Sequence, residues 1–227
     1  KYPSFASVYA IVKDRDSSLW LGTSGFGLIH LSFERSNAGI RLTSFHQYSY
    51  NGSDNGPSND IIYSLVLAKD NGLWIGCRYG GLNYFNKTTQ RFTSFKAFGN
   101  AGSLSHNDVL AVYLDTHHRL WVGTSYGLNY APESTARLTF VEFSTANGLP
   151  NNTIHAITED EQGKIWISTN KGLARIDPAF NEISIFQETD GLQSNEFSDG
   201  AVWKENDGQL YFGGIYGFNY FIPADIQ

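Results

Sequence analysis

The chain has 227 residues, 41% of them hydrophobic and 15% aromatic, with a formal net charge of −6 and one cysteine. That length can bury a sizeable core as one all-β unit or two small domains. An acidic balance without any basic run excludes the electropositive footprint that nucleic acid or an anionic membrane demands; no apolar stretch reaches the roughly 20 residues of a spanning helix, and a lone cysteine excludes an internal disulfide.

The string "LWLGTSGFGLIHL" from Leu19 returns as "LWIGCRYGGLNYF" from Leu73, "LWVGTSYGLNY" from Leu120, "IWISTNKGLARID" from Ile165 and "LYFGGIYGFNYFI" from Leu210. Aligned on their aromatics (Trp20, Trp74, Trp121, Trp166, Tyr211), successive copies lie 54, 47, 45 and 45 residues apart. A period in the mid-forties with several short strands belongs to propeller blades; leucine-rich, ankyrin and TPR periods are shorter, and no helical repeat pattern is present. The absence of Met leads us to expect a piece of a longer protein, or a processed one.

Each copy predicts the same succession of elements. Strand A carries a small residue ten positions before the anchor: Ala10, Ser64, Ala111, Ala156 and Ala201, inside runs such as "VYAIV" and "VLAVYL". Small side chains suit a strand crowded against the central axis of a propeller. A polar turn follows, opened by Asp14, Asp115, Asp160 and Glu205, with Ala68 as the exception; Asp, Asn and Gly bend a chain and satisfy its backbone. Strand B is the anchor string, its aromatic filling space between blades and Gly22, Gly76 and Gly123 allowing close backbone approach. Strand C begins at Gly27-Leu28, Gly81-Leu82, Gly127-Leu128, Gly172-Leu173 and Gly217-Phe218. Strand D is a half-buried outer strand: "LTSF" (42–45), "FTSF" (92–95), "FVEF" (140–143) and "ISIF" (183–186). The fifth copy stops after strand C, and the opening "KYPSFA" makes a poor strand D.

The expected fold is therefore an all-β propeller of four-stranded antiparallel blades. Five are present, at approximately 1–48, 49–98, 99–145, 146–189 and 190–227, with no second domain. Because the last blade lacks an evident strand D, we expect these five to belong to a larger, seven-bladed ring.

The unit "hhxhxxDxxGxLWhGTxxGLxxh", preceded by "LPNNTIHAI" (Leu149–Ile157), resembles the two-component regulator propeller repeat. The segment Leu192–Ile226 is similar to the terminal blade of such a propeller. The resemblance implies the periplasmic sensor region of a Bacteroidetes hybrid two-component histidine kinase, which detects oligosaccharides released from glycans and controls polysaccharide-utilisation genes. It also implies a following immunoglobulin-like domain, a membrane span in segments outside this chain, and a homodimeric receptor. The departures are Ala68 at the turn acid, Ser168 at the strand B glycine, and a longer connection between the first two blades.

In propellers the B-to-C and D-to-A connections share one face, and function tends to sit on loops held by a stiff frame. The B-to-C turns offer Arg78, Tyr79, Tyr126, Lys171 and Tyr216; the D-to-A segments offer Asn107, Asn152 and Asn195. Aromatic faces with amide and cationic donors suit a sugar, whose ring faces are apolar and whose rim is hydroxylated. The same residues have structural readings: Asn59, Asn107 and Asn152 as turn caps, the tyrosines as packing between blades, and Arg78 and Lys171 as solvated charges. The long connection Glu34–Asp60 reads equally as a binding rim or a tolerated loop.

No cofactor and no metal is expected, and no catalytic residue is assigned. The rival classes are a propeller glycoside hydrolase or lyase and a plain protein-interaction scaffold. "DEQGKIW" and "ENDGQLY" resemble the Asp-box of sialidases, whose Asp sits in a structural turn. A glycosidase requires two converging carboxylates. Only Asp60, Asp108, Glu196 and Asp199 approach the candidate face, each with a turn or capping role available. The six histidines (30, 46, 106, 117, 118, 155) follow no ligand spacing. Cys77 stands where other copies have Thr or Gly, and reads as a small packed residue rather than a catalytic thiol.

Overall fold

The computed structural model describes residues 7–37, 39–132, 138–179 and 182–226, so the expected poor strand "KYPSFA" lies outside the described residues. Those residues form five antiparallel sheets, distributed over two compact units. The first unit (residues 1–96 with 107–109) contains two sheets. One joins β1 (Val8–Lys13), β2 (Leu19–Thr23), β3 (Leu28–Ser36) and β4 (Gly39–Tyr48); the other joins β5 (Ile62–Leu67), β6 (Leu73–Cys77), β7 (Gly81–Asn86) and β8 (Arg91–Phe95). The second unit (97–106 with 110–227) contains three. They are β9 (Val109–Leu114) to β12 (Val141–Phe143) through β10 (Arg119–Thr124) and β11 (Gly127–Pro132); then β13 (Ile154–Glu159), β14 (Ile165–Thr169), β15 (Gly172–Asp177) and β16 (Glu182–Phe186); and last β17 (Phe197–Lys204), β18 (Leu210–Gly214) and β19 (Gly217–Phe221). Every sheet is a meander in chain order, the propeller blade expected from the repeat, and the fifth copy has three strands.

The coincidence of an acid six residues before a Trp has a single cause. Trp20 Nε1 donates to Asp14 Oδ2 at 2.7 Å, Trp121 Nε1 to Asp115 Oδ2 at 2.7 Å, and Trp166 Nε1 to Asp160 Oδ2 at 2.8 Å. The other carboxylate oxygen accepts turn amides, for example those of Gln162 and Lys164 on Asp160 Oδ1 at 2.9 and 3.0 Å. One buried carboxylate thus closes the A-to-B turn and satisfies an indole that burial would otherwise strand. Where Ala68 replaces the acid, Asp70 two residues on accepts the Gly72 amide at 3.1 Å and the Tyr84 hydroxyl at 2.7 Å.

The tryptophans fill the space between neighbouring sheets of one unit. Trp20 packs edge-on against Phe85, with ring centroids 5.5 Å apart, and Trp166 lies 4.9 Å from Phe221. In the first unit Trp20, Leu28, Ile62, Ile75, Phe85 and Phe92 form one buried cluster; in the second, Trp121, Leu128, Ile154, Ile157, Ile167 and Ile176 belong to another. The strand B glycines permit this approach: a Cβ on Gly22 would stand 2.6 Å from Ile62 Cγ2, and one on Gly123 2.7 Å from Ile154 Cγ2. Polar clips join the A-to-B edges: Lys87 Nζ meets Asp14 Oδ2 at 2.6 Å, and Thr116 donates from its amide and hydroxyl to Glu159 at 2.9 and 2.8 Å.

The extra residues of the first interval divide in two. Part lengthens the β3–β4 hairpin, which pairs out to Ser36 and Gly39. The rest, after Tyr48, folds back on the outer strand of the second sheet. Asp60 Oδ1 accepts the Tyr50 amide at 2.6 Å, the Asp54 carbonyl accepts the Phe92 amide at 2.8 Å, and Arg91 Nη1 meets Asp54 Oδ1 at 2.6 Å.

Candidate functional site

The B-to-C turns are built by a threonine. Thr23, Thr124 and Thr169 end strand B; each donates its hydroxyl to the carbonyl of Gly27, Gly127 or Gly172 at 2.8–2.9 Å and accepts an amide from within the turn. In Thr124 and Thr169 the donated amides are those of Tyr126 and Lys171, at 3.0 Å. The hydroxyl therefore holds the turn that carries the candidate residue, a role that residue size alone did not reveal. Gly27 and Gly172 are obligatory: both have positive φ, and a Cβ would stand 2.1 Å from the Tyr48 or Phe186 carbonyl oxygen.

In the second sheet Cys77 replaces the threonine. It is fully buried, accepts from Asn83 Nδ2 at 3.3 Å, and burial pushes its thiol up to about 12, so it is an unreactive packing residue. The following turn bends by a different device, Tyr79 at φ +52°, with the Arg78 amide donating to the Ile61 carbonyl at 2.9 Å.

In the first unit Arg78 is half-buried, its guanidinium 5.1 Å from the centroid of the Tyr79 ring, and Tyr79 is 61% exposed. Asn107 is half-buried, and its carbonyl accepts the Gly81 amide at 2.8 Å. In the second unit Tyr126 is 62% and Tyr216 79% exposed, and Lys171 is exposed. Asn152 and Asn195 are bound into their own loops: Asn152 Oδ1 accepts the Thr145 amide at 2.7 Å, and Asn195 Oδ1 the Glu188 amide at 2.9 Å. Asn59 and Asn151 make Asx turns onto the amides of Ile61 and Thr153, both at 2.8 Å. The tyrosines, Lys171 and Arg78 are thus the members that the geometry leaves presented to solvent.

The second unit also joins residues that motif spacing did not bring together. His155 Nδ1 lies 2.5 Å from Asp199 Oδ1, and Nε2 lies 2.8 Å from Asn170 Oδ1. Burial disfavours the charged ring, but the two oxygen partners outweigh it and hold the imidazole above its ordinary value. The signal was available in the register. Counted from the small residue of strand A, His155 is one place before Ala156 and Asp199 two before Ala201, adjacent sites on neighbouring A strands. A similar pair joins His106 Nδ1 to Ser125 Oγ at 2.8 Å.

A second recurrent device, the Asn of "GLNY", ties the D-to-A connection down. Asn129 accepts the Ser105 amide at 2.9 Å and donates to Ser105 Oγ at 2.8 Å; Asn83 does the same with Ser58 at 3.1 and 2.7 Å. The D-to-A connections that lead into the second and third sheets are tied down in this way.

Comparison with known proteins matches this architecture. The two-component regulator propeller family model matches residues 3–25, 103–126 and 148–171. A protein named histidine kinase P4, of Formosa agariphila, is 31% identical over 226 residues, covering 98% of this chain and 16% of its own length. Two solved extracellular domains of B. thetaiotaomicron proteins, described as hybrid two-component systems, superpose with TM-scores of 0.79 and 0.73, each at 24% identity. They cover 96% of this chain and 30% and 34% of their own. A virginiamycin B lyase from Staphylococcus aureus shares the fold at 16% identity (TM-score 0.66, covering 93% of this chain and 64% of that one). This chain thus spans about a third or less of the two-component relatives. With its register and its Asp–Trp turns, the chain therefore carries two-component regulator propeller repeats, matched by the family model over these three segments.

Proposed function

We propose that this chain is part of the periplasmic sensor region of a hybrid two-component histidine kinase, and that it detects glycan-derived oligosaccharides to control polysaccharide-utilisation genes. The observation that carries the reading is the set of B-to-C turn residues, exposed Tyr79 with half-buried Arg78 in one unit and exposed Tyr126, Lys171 and Tyr216 in the other, each turn held by its own hydrogen bonds. Rigid aromatic faces beside cationic donors match the two surfaces of a sugar ring at low ordering cost. The likeness to histidine kinase P4 supports the kinase context.

Further blades fit the same reading. β1 leaves Tyr9 and Ile11 exposed, and the last sheet leaves Trp203, Phe218 and Tyr220 exposed, apolar faces of the kind that neighbouring blades cover. We take the parent ring as seven-bladed, followed by an immunoglobulin-like domain and a membrane span in the rest of the protein. The receptor acts as a homodimer whose two arrangements ligand stabilises unequally.

The test is a thermal-shift screen with cellulose-, xylan-, mannan-, laminarin- and starch-derived oligosaccharides, with product analysis on the same mixtures. One glycan class should raise the melting temperature without being cleaved, and Tyr79→Ala or Tyr126→Ala should abolish the shift. Cleavage would transfer the chain to the hydrolase or lyase class. No shift, with concentration-dependent association, would make it a scaffold.

A further inference from the structure

We infer that the lengthened β3–β4 hairpin and the first A-to-B turn form a docking surface for one absent segment. That segment is the A-to-B turn of the repeat preceding residue 1 in the full-length protein, and it carries an acidic residue directly after its turn acid. This docking rests on the further blades proposed above, and adds which turn docks, on which residues and by what charge. The surface is a groove of about 780 Å³ lined by Lys13, Ser17, Leu19, Phe33, Arg35 and Ile40. Phe33 is 39% and Ile40 65% exposed, and Lys13 and Arg35 are exposed too. Among the described residues neither Lys13 nor Arg35 meets a carboxylate, and no acid lines the groove. Apolar surface beside unpaired cations fits a partner that is apolar and acidic.

The register of the other sheets identifies the occupant. The residue seven places before an anchor aromatic meets the residue five places before the anchor of the preceding sheet. In the second unit Glu159 accepts the Thr116 amide and hydroxyl at 2.9 and 2.8 Å, and Lys204 Nζ meets Glu161 Oε1 at 2.6 Å. In the first unit Arg15 reaches the carbonyls of Ala68 and Lys69, next to Leu67, at 3.4 and 3.2 Å. The residue three places before the anchor joins the same contact: a Cβ on Gly208 would stand 3.0 Å from Glu161 Cγ. Lys13 and Ser17 hold the places of Lys204 and Gly208 in the first sheet. Ser17 also keeps the left-handed backbone of that place, with φ +70° against +87° at Gly208. The two therefore frame the seat that Glu161 fills between the fourth and fifth sheets. A cation at Lys13 calls for an acid in that seat, as Lys204 pairs with Glu161, whereas the carboxylate of Glu159 takes a hydroxyl and an amide.

Two further observations agree. Leu19, one place before its anchor, is half-buried, whereas Leu73, Leu120, Ile165 and Leu210 at the same place are fully buried. The uncovered position is thus peculiar to the first sheet. The C-to-D end of a sheet also reaches the preceding turn: Lys87, just after β7, meets the turn acid Asp14 at 2.6 Å. The β3–β4 hairpin runs further, pairing Phe33 with Leu42 and Arg35 with Ile40. Cross-strand partners share a face, so Phe33, Arg35 and Ile40 present one side together, while Glu34 and Arg41 pair at 2.9 Å on the other. The added length of hairpin serves as a strap that lays two apolar side chains and a second cation across the docked turn.

The test compares the full-length protein with the 227-residue chain. A carbodiimide joins an amine directly to a carboxylate in contact with it, and the masses of tryptic peptides identify the pair. In the full-length protein Lys13 should couple to the residue five places before the anchor of the preceding repeat, and Lys13→Gln should abolish that peptide. Lys13→Glu should lower the melting temperature of the full-length protein by about 2–4 °C, the loss of one ion pair, and leave that of the 227-residue chain unchanged. Phe33→Ser should behave in the same way, and changing the partner acid to Lys should restore the Lys13→Glu protein. Hydroxyl-radical footprinting of Tyr9 and Ile11, exposed in the 227-residue chain, reads the presence of a covering blade by itself. If both gain protection in the full-length protein but Lys13 couples elsewhere or not at all, the further blades stand and the docked turn is overturned. A basic or neutral residue at the partner position overturns it too, as does coupling of Lys13 to a second copy, detected with mixed heavy- and light-isotope protein. If Tyr9 and Ile11 gain no protection, the docked turn and the further blades fall together.

Discussion

Asp160→Ala removes the acceptor on which three donors of the fourth repeat converge: Trp166 Nε1 at 2.8 Å and the amides of Gln162 and Lys164 at 2.9 and 3.0 Å. The three do not lose equally. Gln162 is exposed and Lys164 half-buried, so the turn amides can rebond to water, and their share is about 1 kcal/mol. Trp166 is 1% exposed, and its indole N–H has no water to turn to, which costs about 1–3 kcal/mol. The expected total is about 2–4 kcal/mol. At about 2–4 °C per kcal/mol for a domain of this size, the melting temperature should fall by about 5–15 °C. Urea melts followed by circular dichroism would measure it, with the slope against denaturant checked for constancy. Asp160→Asn, keeping one acceptor oxygen, should lose less. Combining Asp160→Ala with Trp166→Phe should reveal a coupling of about 1–2 kcal/mol, because the second change removes the stranded donor. Glu205→Ala, which affects only the exposed Trp203 indole, should cost under about 0.5 kcal/mol. A loss below about 1 kcal/mol for Asp160→Ala, or no coupling to Trp166, would refute the view that this carboxylate organises the repeat.

Gly123→Ala should destabilise by about 1–3 kcal/mol in the same urea assay, because the new methyl would stand 2.7 Å from Ile154 Cγ2 and 3.2 Å from its carbonyl oxygen. Cys77 should resist a thiol reagent at pH 8 in the native chain and react stoichiometrically in guanidinium, as a buried thiol pushed up to about 12 requires. The His155 pair sets a pH dependence. With the folded value above the usual 6.5, the pair stabilises fully below that value and its contribution is lost as pH rises through the folded value. The stability gap between the parent and His155→Gln should therefore be widest near pH 6 and shrink towards pH 9. Asp14 has the opposite sign: burial raises it, but the bonds from Lys87 and Trp20 win and hold it below the carboxylate norm. Its contribution is present above about pH 4 and disappears as pH falls through the folded value, which acid titration of the parent against Asp14→Asn would show.

The blade plan was legible because it is local and repeated. Small residue, turn acid, aromatic, glycine and Gly-Leu recur at constant offsets, and each offset reports one strand or one turn whose geometry depends on a few neighbouring residues. What the repeat could not report is whatever one copy does to the next. The 54-residue interval announced extra chain but not its path, since the lengthened β3–β4 hairpin and the fold-back onto β8 depend on bonds between residues about 40 apart, such as Arg91 to Asp54. The candidate turn residues could be named, yet only coordinates separated Tyr79, Tyr126 and Tyr216, which stand in solvent, from Asn152 and Asn195, whose oxygens close their own loops. Offsets along the chain determine the wedge. The register sets His155 and Asp199 at adjacent sites on neighbouring A strands, but that their side chains meet was decided by packing between sheets, because an offset along the chain fixes a position and not the partner it finds across a seam.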